Sequence, residues 1–180
     1  GSVALVGGVT VGGYLEVVGS VSFPTFPGRL LAIIEDQKVQ DTDAQTLSTG
    51  TDNVRELNTL VYNRGSLVSL ATNRFTLPTG TWEISWWCPA VQVNANTEVF
   101  TQSELFNFTD TTSVGRGTSS ESSEASGGNW MMNGVGSAVV TIAAPKAFEI
   151  RQRVSSTVIN GGMASNFGTE VYTRVVVREV

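Results

Sequence analysis

The chain has 180 residues, a net charge of −5, no histidine and one cysteine. This length suits one domain with a core of its own. The absence of histidine removes the usual general base and the commonest metal ligand, and a lone cysteine excludes an internal disulfide and a thiolate metal cluster. The few basic residues are scattered, which argues against nucleic acid as a partner. No apolar run approaches the roughly 20 residues of a membrane span. We therefore expect no metal, no cofactor, no nucleic acid and no membrane insertion.

Residues 1–22 are short β-prone runs that glycines interrupt every five or six residues. Such runs are too short to form a sheet alone, but identical copies wound together could bury their valines in a fibrous β stalk. The alternative is a frayed strand that belongs to the main domain. Two prolines and a glycine at 24–28 predict a boundary. The sequence thus predicts a stalk and neck at residues 1–27 and a head domain at residues 28–180.

The head domain is a succession of β-prone runs without a sustained helical period. Turn-forming residues lie between runs at hairpin spacing, at 78–80, 94–96, 144–146 and 160–162. Short strands at this spacing are typical of an antiparallel sandwich or barrel. Strands are predicted at 30–39, 54–63, 66–77, 81–93, 97–108, 129–143, 147–159 and 169–180, and an irregular stretch at 41–53.

The run 81–89 shows which way its strand faces. Alternation places four core residues on one side: Trp82, Ile84, Trp86 and Cys88. Cys88 is predicted to be a buried structural thiol. Trp87 lies on the opposite, polar side, where a large aromatic marks an interface or a ligand platform. Ordinary packing is the remaining alternative for Trp87. In the run 147–154, Phe148 and Ile150 face inward and Glu149 faces outward.

Two further segments bear on binding. Residues 115–128 are rich in glycine and serine and are predicted to be a mobile, low-complexity loop. Trp130 follows this segment and either caps the core or presents a stacking face for a sugar ring. Residues 160–166 form a Gly/Asn-rich connection of the kind that carries function at a loop tip.

Residues 55–90, "RELNTLVYNRGSLVSLATNRFTLPTGTWEISWWCPA", resemble a domain frequent at the C-terminal ends of bacteriophage fibre proteins. The telling signature is "FTLPTGTWEISW", a pattern also found in complement-C1q-like and tumour-necrosis-factor-like jelly rolls. "FEIRQRV" and the closing "NGGMASNFGTEVYTRVVVREV" fit the same domain, so the resemblance spans roughly residues 28–180. It implies a trimeric jelly roll that attaches a fibre to a host surface. It carries over no catalytic residue, and receptor contacts vary among members.

The sequence therefore predicts an all-β antiparallel sandwich, a C1q/TNF-like jelly roll with an N-terminal β stalk, assembled as a homotrimer. We expect a non-enzymatic tip of a phage fibre, a tail fibre in the first instance, at the distal end of a fibre on the virion. Its partners would be upstream fibre or virion proteins and a host glycan or outer-surface protein. The alternatives are a purely structural trimerisation cap and a non-catalytic C-terminal module of a glycan depolymerase. The candidate receptor contacts are Trp87, Asn94, Asn96, Arg116, Trp130, Asn160 and Asn166.

Two kinds of chemistry receive less support from the sequence. Glycan hydrolysis needs two carboxylates at a set separation, and the pairs Glu98 with Glu104 and Glu83 with Glu149 read equally well as solvated strand positions. Three aspartates could supply oxygen ligands for Ca²⁺, but they lack EF-hand spacing and fit a polar loop as well. They are Asp36, Asp41 and Asp43.

Overall fold

The computed structural model describes residues 31–92, 98–122, 129–156 and 159–180. No helix in these ranges is long and apolar enough to cross a bilayer; a 3-10 turn lies at Arg64–Ser66. The strands are β1 (Leu31–Lys38), β2 (Thr46–Leu47), β3 (Asn53–Val54), β4 (Thr59–Asn63), β5 (Ser69–Ala71), β6 (Arg74–Leu77), β7 (Gly80–Gln92), β8 (Val99–Asn107), β9 (Thr112–Ser122), β10 (Trp130–Ile142), β11 (Lys146–Val154), β12 (Ile159–Asn160) and β13 (Glu170–Glu179).

The strands form two antiparallel sheets. The front sheet has the order β4-β1-β13-β7-β10, and β12 and then β2 extend it beside the end of β7. The back sheet has the order β5-β6-β11-β8-β9, with β3 beside the end of β11. The chain passes repeatedly from one sheet to the other, and the first and last long strands are neighbours within the front sheet. This strand order is that of a jelly roll and confirms the predicted fold class.

The turn chemistry predicted most strand boundaries but assigned the wrong kind of connection to two of them. The turn at 78–79 leads from β6 in the back sheet to β7 in the front sheet, and 143–145 leads from β10 back to β11. These turns cross between sheets because β6 pairs with β11 and β7 with β10. A tight hairpin joins β5 and β6 through Thr72 and Asn73, whose positive φ angles of 53° and 63° suit a two-residue turn, and a longer hairpin joins β8 and β9.

The core lies between the sheets and is built around the inner face of β7. Trp82, Ile84, Trp86 and Cys88 are buried, as predicted. The indole nitrogen of Trp86 donates a hydrogen bond to Ser103 Oγ at 2.9 Å. A Cβ at Gly136 would lie 2.1 Å from the Trp86 ring, so only glycine fits opposite this indole. Burial raises the pKa of the Cys88 thiol, which agrees with a structural role.

The predicted mobile loop at 115–128 is wrong for its first eight residues, which belong to β9. This strand pairs with β8 along its length. Its small residues have a packing reason: a Cβ at Gly117 would lie 2.4 Å from Ser103 Oγ and 2.6 Å from the Val135 carbonyl oxygen on β10. A glycine-rich composition therefore lets β9 approach β10 closely. Residues 123–128 lie outside the described ranges.

The sandwich has two distinct ends. Leu31 and Val180 lie at one of them, called the terminal end, since Leu31 pairs with Arg178 and the Val180 amide donates to Thr81. The opposite end, called the loop end, carries Lys38 beside Glu170. The chain thus enters the described domain on the side away from the loop end. The predicted stalk at 1–27 and the boundary at residue 28 lie outside the described residues.

Candidate self-association and binding surfaces

The middle of the outer face of the front sheet is apolar, and Glu83 and Arg178 lie towards its terminal end. Trp87 stands at its centre, between Val135 on β10 and Arg174 on β13. Around them lies an open depression of about 560 Å³ that Val176 also lines. The exposed fractions are 65% for Met131 and 64% for Val139. Strand register places these side chains on this face: Leu31, Ile33, Tyr62, Trp87, Met131, Val135, Val139 and Val176.

Trp87 is half-buried and faces outward, as its sequence position predicted. Its charged neighbour Arg174 is held in place by Glu35, at 2.6 Å between guanidinium and carboxylate. Glu35 is itself buried and accepts a second hydrogen bond from Gln37. The Arg174 guanidinium is therefore already paired, and Arg116 also lines the depression, so its centre offers an indole and aliphatic groups with one further cation at the side.

The outer face of the back sheet is charged, and its carboxylate and guanidinium groups pair with one another. Glu149 accepts from Arg74 and Arg151, each at 2.7 Å. The two guanidinium groups lie over phenyl rings, Arg151 at 3.3 Å from the Phe106 centroid and Arg74 at 3.4 Å from that of Phe108. These contacts bury Glu149 completely. Its sequence position predicted a solvated carboxylate, and that prediction is wrong.

Glu149 also bears on the predicted carboxylate pair. Glu83 points from the outer face of the front sheet, where Arg178 lies 3.9 Å away. Glu149 points from the outer face of the back sheet. Because the two carboxylates lie on opposite sides of the sandwich, they cannot flank one glycosidic bond. In the other pair, Glu104 accepts a hydrogen bond from Ser113 on the neighbouring strand.

The structure divides the described candidate receptor contacts between two places. Trp130 and Asn160 lie at the loop end, where they pair with Gln92 and Val91 of β7. Asn166 lies in the connection between β12 and β13, at the same end. Trp87 and Arg116 both line the depression on the front-sheet face, Trp87 from β7 and Arg116 as an exposed residue of β9. The candidates Asn94 and Asn96 lie outside the described residues.

The connection 161–169 is a hydrogen-bonded loop. The Glu170 carboxylate accepts from the backbone amides of Ser165 at 3.0 Å and Asn166 at 2.8 Å. These hydrogen bonds lower the pKa of Glu170. Asp43 accepts from the Ala164 amide at 2.8 Å. Asn166 adopts a left-handed φ of 63° and so turns the chain sharply at the tip.

Phe167 stands at that tip with 96% of its surface exposed. Sequence reasoning listed the asparagines of this loop and missed Phe167. The available signal was an aromatic residue set between Asn166 and Gly168 in an otherwise polar segment, since such segments seldom carry large apolar groups. Because hydrogen bonds hold the loop and the phenyl ring is unburied, Phe167 is a candidate contact residue.

Arg55 is a second residue that the sequence did not single out. Its side chain is fully buried between the sheets, and burial lowers its pKa. The guanidinium donates to the carbonyl oxygens of Gly161 at 2.7 Å and Pro89 at 3.1 Å. It also donates to Gln152 and Thr173, each at 3.1 Å. Arg55 therefore ties both sheets to the base of the 161–169 loop.

Two of the three aspartates considered for Ca²⁺ accept hydrogen bonds from other residues of the chain. Asp36 is buried and accepts from Asn58 at 3.1 Å, while Asp43 accepts from the 161–169 loop. Asp41 has a left-handed φ of 65°. Across the described ranges, no group of three or more acidic, cysteine or histidine side chains is arranged to hold a metal ion. Asp41 and Asp43 fit the polar-loop interpretation, whereas Asp36 does not, because it is buried within β1.

No protein-family model matches the chain, and no curated protein matches it. Among solved structures, murine APRIL at pH 5.0 is 11% identical, and the match covers 84% of this chain and 99% of that one with a TM-score of 0.48. The globular domain of zebrafish complement 1qA is 10% identical, with coverage of 84% and 97% and a TM-score of 0.46. The jelly-roll fold of the chain follows from its own strand order, and these similarities assign no role to its residues.

Proposed function

We propose that the chain is a trimeric, non-enzymatic attachment domain at the tip of a bacteriophage fibre, with a host glycan or outer-surface protein as receptor. The observation that carries this proposal is the polarity of the sandwich. The chain enters at the terminal end, whereas Trp130, Asn160 and Asn166 lie at the loop end. A fibre joined upstream of Leu31 would leave the loop end facing outward. The sequence resemblance to phage fibre domains supplies the biological setting.

The outer face of the front sheet supports self-association. Apolar patches as continuous as this one mark interaction surfaces on soluble proteins. Trp87, Val135 and Val176 form its centre, and the Arg174 guanidinium beside them is paired within the chain. Identical copies arranged about a threefold axis would bury this face on every copy. The same arrangement would point the three loop ends in one direction, so each receptor contact would be presented three times.

The first experiment measures the native mass of the purified protein at micromolar concentration. We expect three chains per particle. Trp87→Ala should loosen the trimer, because a large aromatic at an interface centre is a typical hot spot. Trp130→Ala is the matched control, since Trp130 lies at the loop end away from the centre of that face. A monomeric wild-type protein would contradict the proposal.

The second experiment tests attachment. Labelled trimer is incubated with a panel of bacterial strains, and the same trimer is added as a competitor of phage adsorption on the strain that it labels. We expect labelling of the host strain and reduced adsorption. Asn160→Ala should weaken labelling while the trimer persists. A stable trimer that labels no strain and blocks no phage would instead favour the structural-cap alternative.

A further inference from the structure

A pocket lies where the apolar face of the front sheet meets the 161–169 loop. Its volume is about 200 Å³, and its apolar lining includes Trp87, Met131, Met163 and Tyr172. The Tyr172 hydroxyl donates to the Thr42 carbonyl at 2.7 Å, which fixes the phenol ring in the wall. We call this site the Trp87 pocket. It shares Trp87 with the face proposed above for self-association, so the two surfaces are continuous.

Each chain also carries a group that suits such a pocket. Phe167 is 96% exposed, so it does not fill the pocket of its own chain. Its position is fixed by the Glu170 and Asp43 hydrogen bonds to the flanking backbone. Gln40 adds a hydrogen bond to the Asn166 carbonyl oxygen at 2.8 Å. A preorganised aromatic loses little conformational entropy on binding, which favours its use as an anchor.

Resting on the trimer proposed above, we infer that Phe167 of each copy inserts its ring into the Trp87 pocket of the next copy. Each chain has an exposed Phe167 ring and a Trp87 pocket that this ring does not fill. The contact between two copies is therefore heterologous, and it closes into a ring of copies when the rotation between them permits. The sizes agree, since an apolar cavity of about 150 Å³ accommodates benzene. Each chain therefore supplies both parts of the contact, its Phe167 ring to one neighbouring copy and its Trp87 pocket to another.

The area involved is large enough to matter. An aromatic side chain buries roughly 150–250 Å², and a standard interface needs about 800 Å² from each partner. Phe167, which is 96% exposed before assembly, would alone supply on the order of a fifth of that requirement. The exposed parts of Met131 and Met163 would add to it from the pocket side.

Disulfide trapping tests the contact directly. The variant Phe167→Cys with Met131→Cys is oxidised and run on a denaturing, non-reducing gel. Cys88, the only native cysteine, is buried and should not interfere. We expect covalent species of two and three chains from the double variant. Neither single variant should give three-chain species, because each chain then lacks one of the two thiols. The matched control Val39→Cys with Met131→Cys uses another exposed apolar residue, 76% exposed, outside the pocket.

A second variant measures the strength of the contact. Phe167→Ala should weaken self-association by about thirtyfold or more, which is the lower limit for a hot-spot residue. Its melting temperature as a diluted single chain should not change, because Phe167 has almost no contact within its own chain. Val39→Ala should alter neither quantity. If the wild type is a trimer but the variant Phe167→Cys with Met131→Cys forms no interchain disulfide, or if Phe167→Ala leaves self-association at full affinity, the inference is overturned while the trimer stands. A monomeric wild type would overturn both.

Discussion

The two outer faces of the sandwich are built on the same strand alternation, but their side chains make different contacts. On the back sheet, Glu149 is clamped by Arg74 and Arg151, and both guanidinium groups lie over phenyl rings. On the front sheet, Trp87 and its aliphatic neighbours have no comparable cover from the described part of the chain. A charged face can be completed within one chain by ion pairs. An apolar face is completed only by another surface, because nothing but removal from water stabilises it.

The largest effect on folding stability is expected from Arg55, whose side chain hydrogen-bonds to both sheets. Arg55→Met should lower the free energy of unfolding by several kcal/mol, since it leaves the Gly161 and Pro89 carbonyl oxygens buried without donors, at about 1–3 kcal/mol for each. Urea unfolding measures this. Arg64→Met is the control, because Arg64 is exposed. Equal stability of the two variants would show that Arg55 does not hold the sheets together.

The second prediction compares how a charge on each of the two faces affects self-association. Val139→Lys places a charge on the front-sheet face beside Glu83, which can pair with it in a single chain. The fold should therefore survive, whereas self-association should weaken tenfold or more because assembly would bury the charge. Ser119→Lys places the same charge on the back-sheet face and should change neither. Sedimentation of both variants decides, and equal behaviour would contradict the proposed difference between the faces.

A smaller loss is expected from the back-sheet clamp. Glu149→Gln removes the negative charge from a side chain that is only 1% exposed. The variant should lose roughly 1.5–3 kcal/mol of stability, the range for hydrogen bonds to charged groups. Its oligomeric state should stay that of the wild type. Thermal unfolding and native mass measure the two quantities, and a change in assembly would show that this face contributes to the interface.

The smallest effect concerns the loop that presents Phe167. The pKa of Glu170 is lowered in the fold by its hydrogen bonds to Ser165 and Asn166. The ionised carboxylate therefore stabilises the loop above the ordinary glutamate pKa, and this contribution is lost as pH falls through the lowered value. The protection factors of the Ser165 and Asn166 amides, which allow for the slower intrinsic exchange in acid, should fall at low pH and in Glu170→Gln at neutral pH. Glu121→Gln, which removes an exposed carboxylate, should leave both amides protected.

Sequence reasoning succeeded where a local pattern sufficed. The strand at 81–93 matches β7, and its alternation identified Trp82, Trp86 and Cys88 as core residues. It failed where composition was ambiguous. Glycine and serine at 115–122 suit a mobile loop and a tightly packed strand equally well, and only the approach of β9 to β10 distinguishes them. The burial of the Glu149 carboxylate was also mispredicted. One of its two arginine partners comes from β6, which only the folded sheet places beside it.

The sequence by itself determined the all-β class, the strand ends near turn residues and the outward position of Trp87, since these depend on neighbours within about ten residues. The tertiary structure decided which turns cross between sheets, because pairing partners such as β7 and β10 are separated by some forty residues. It also decided that Arg55 is buried and Phe167 exposed. Both outcomes depend on what surrounds a side chain after the sheets have packed, and no local pattern records those surroundings.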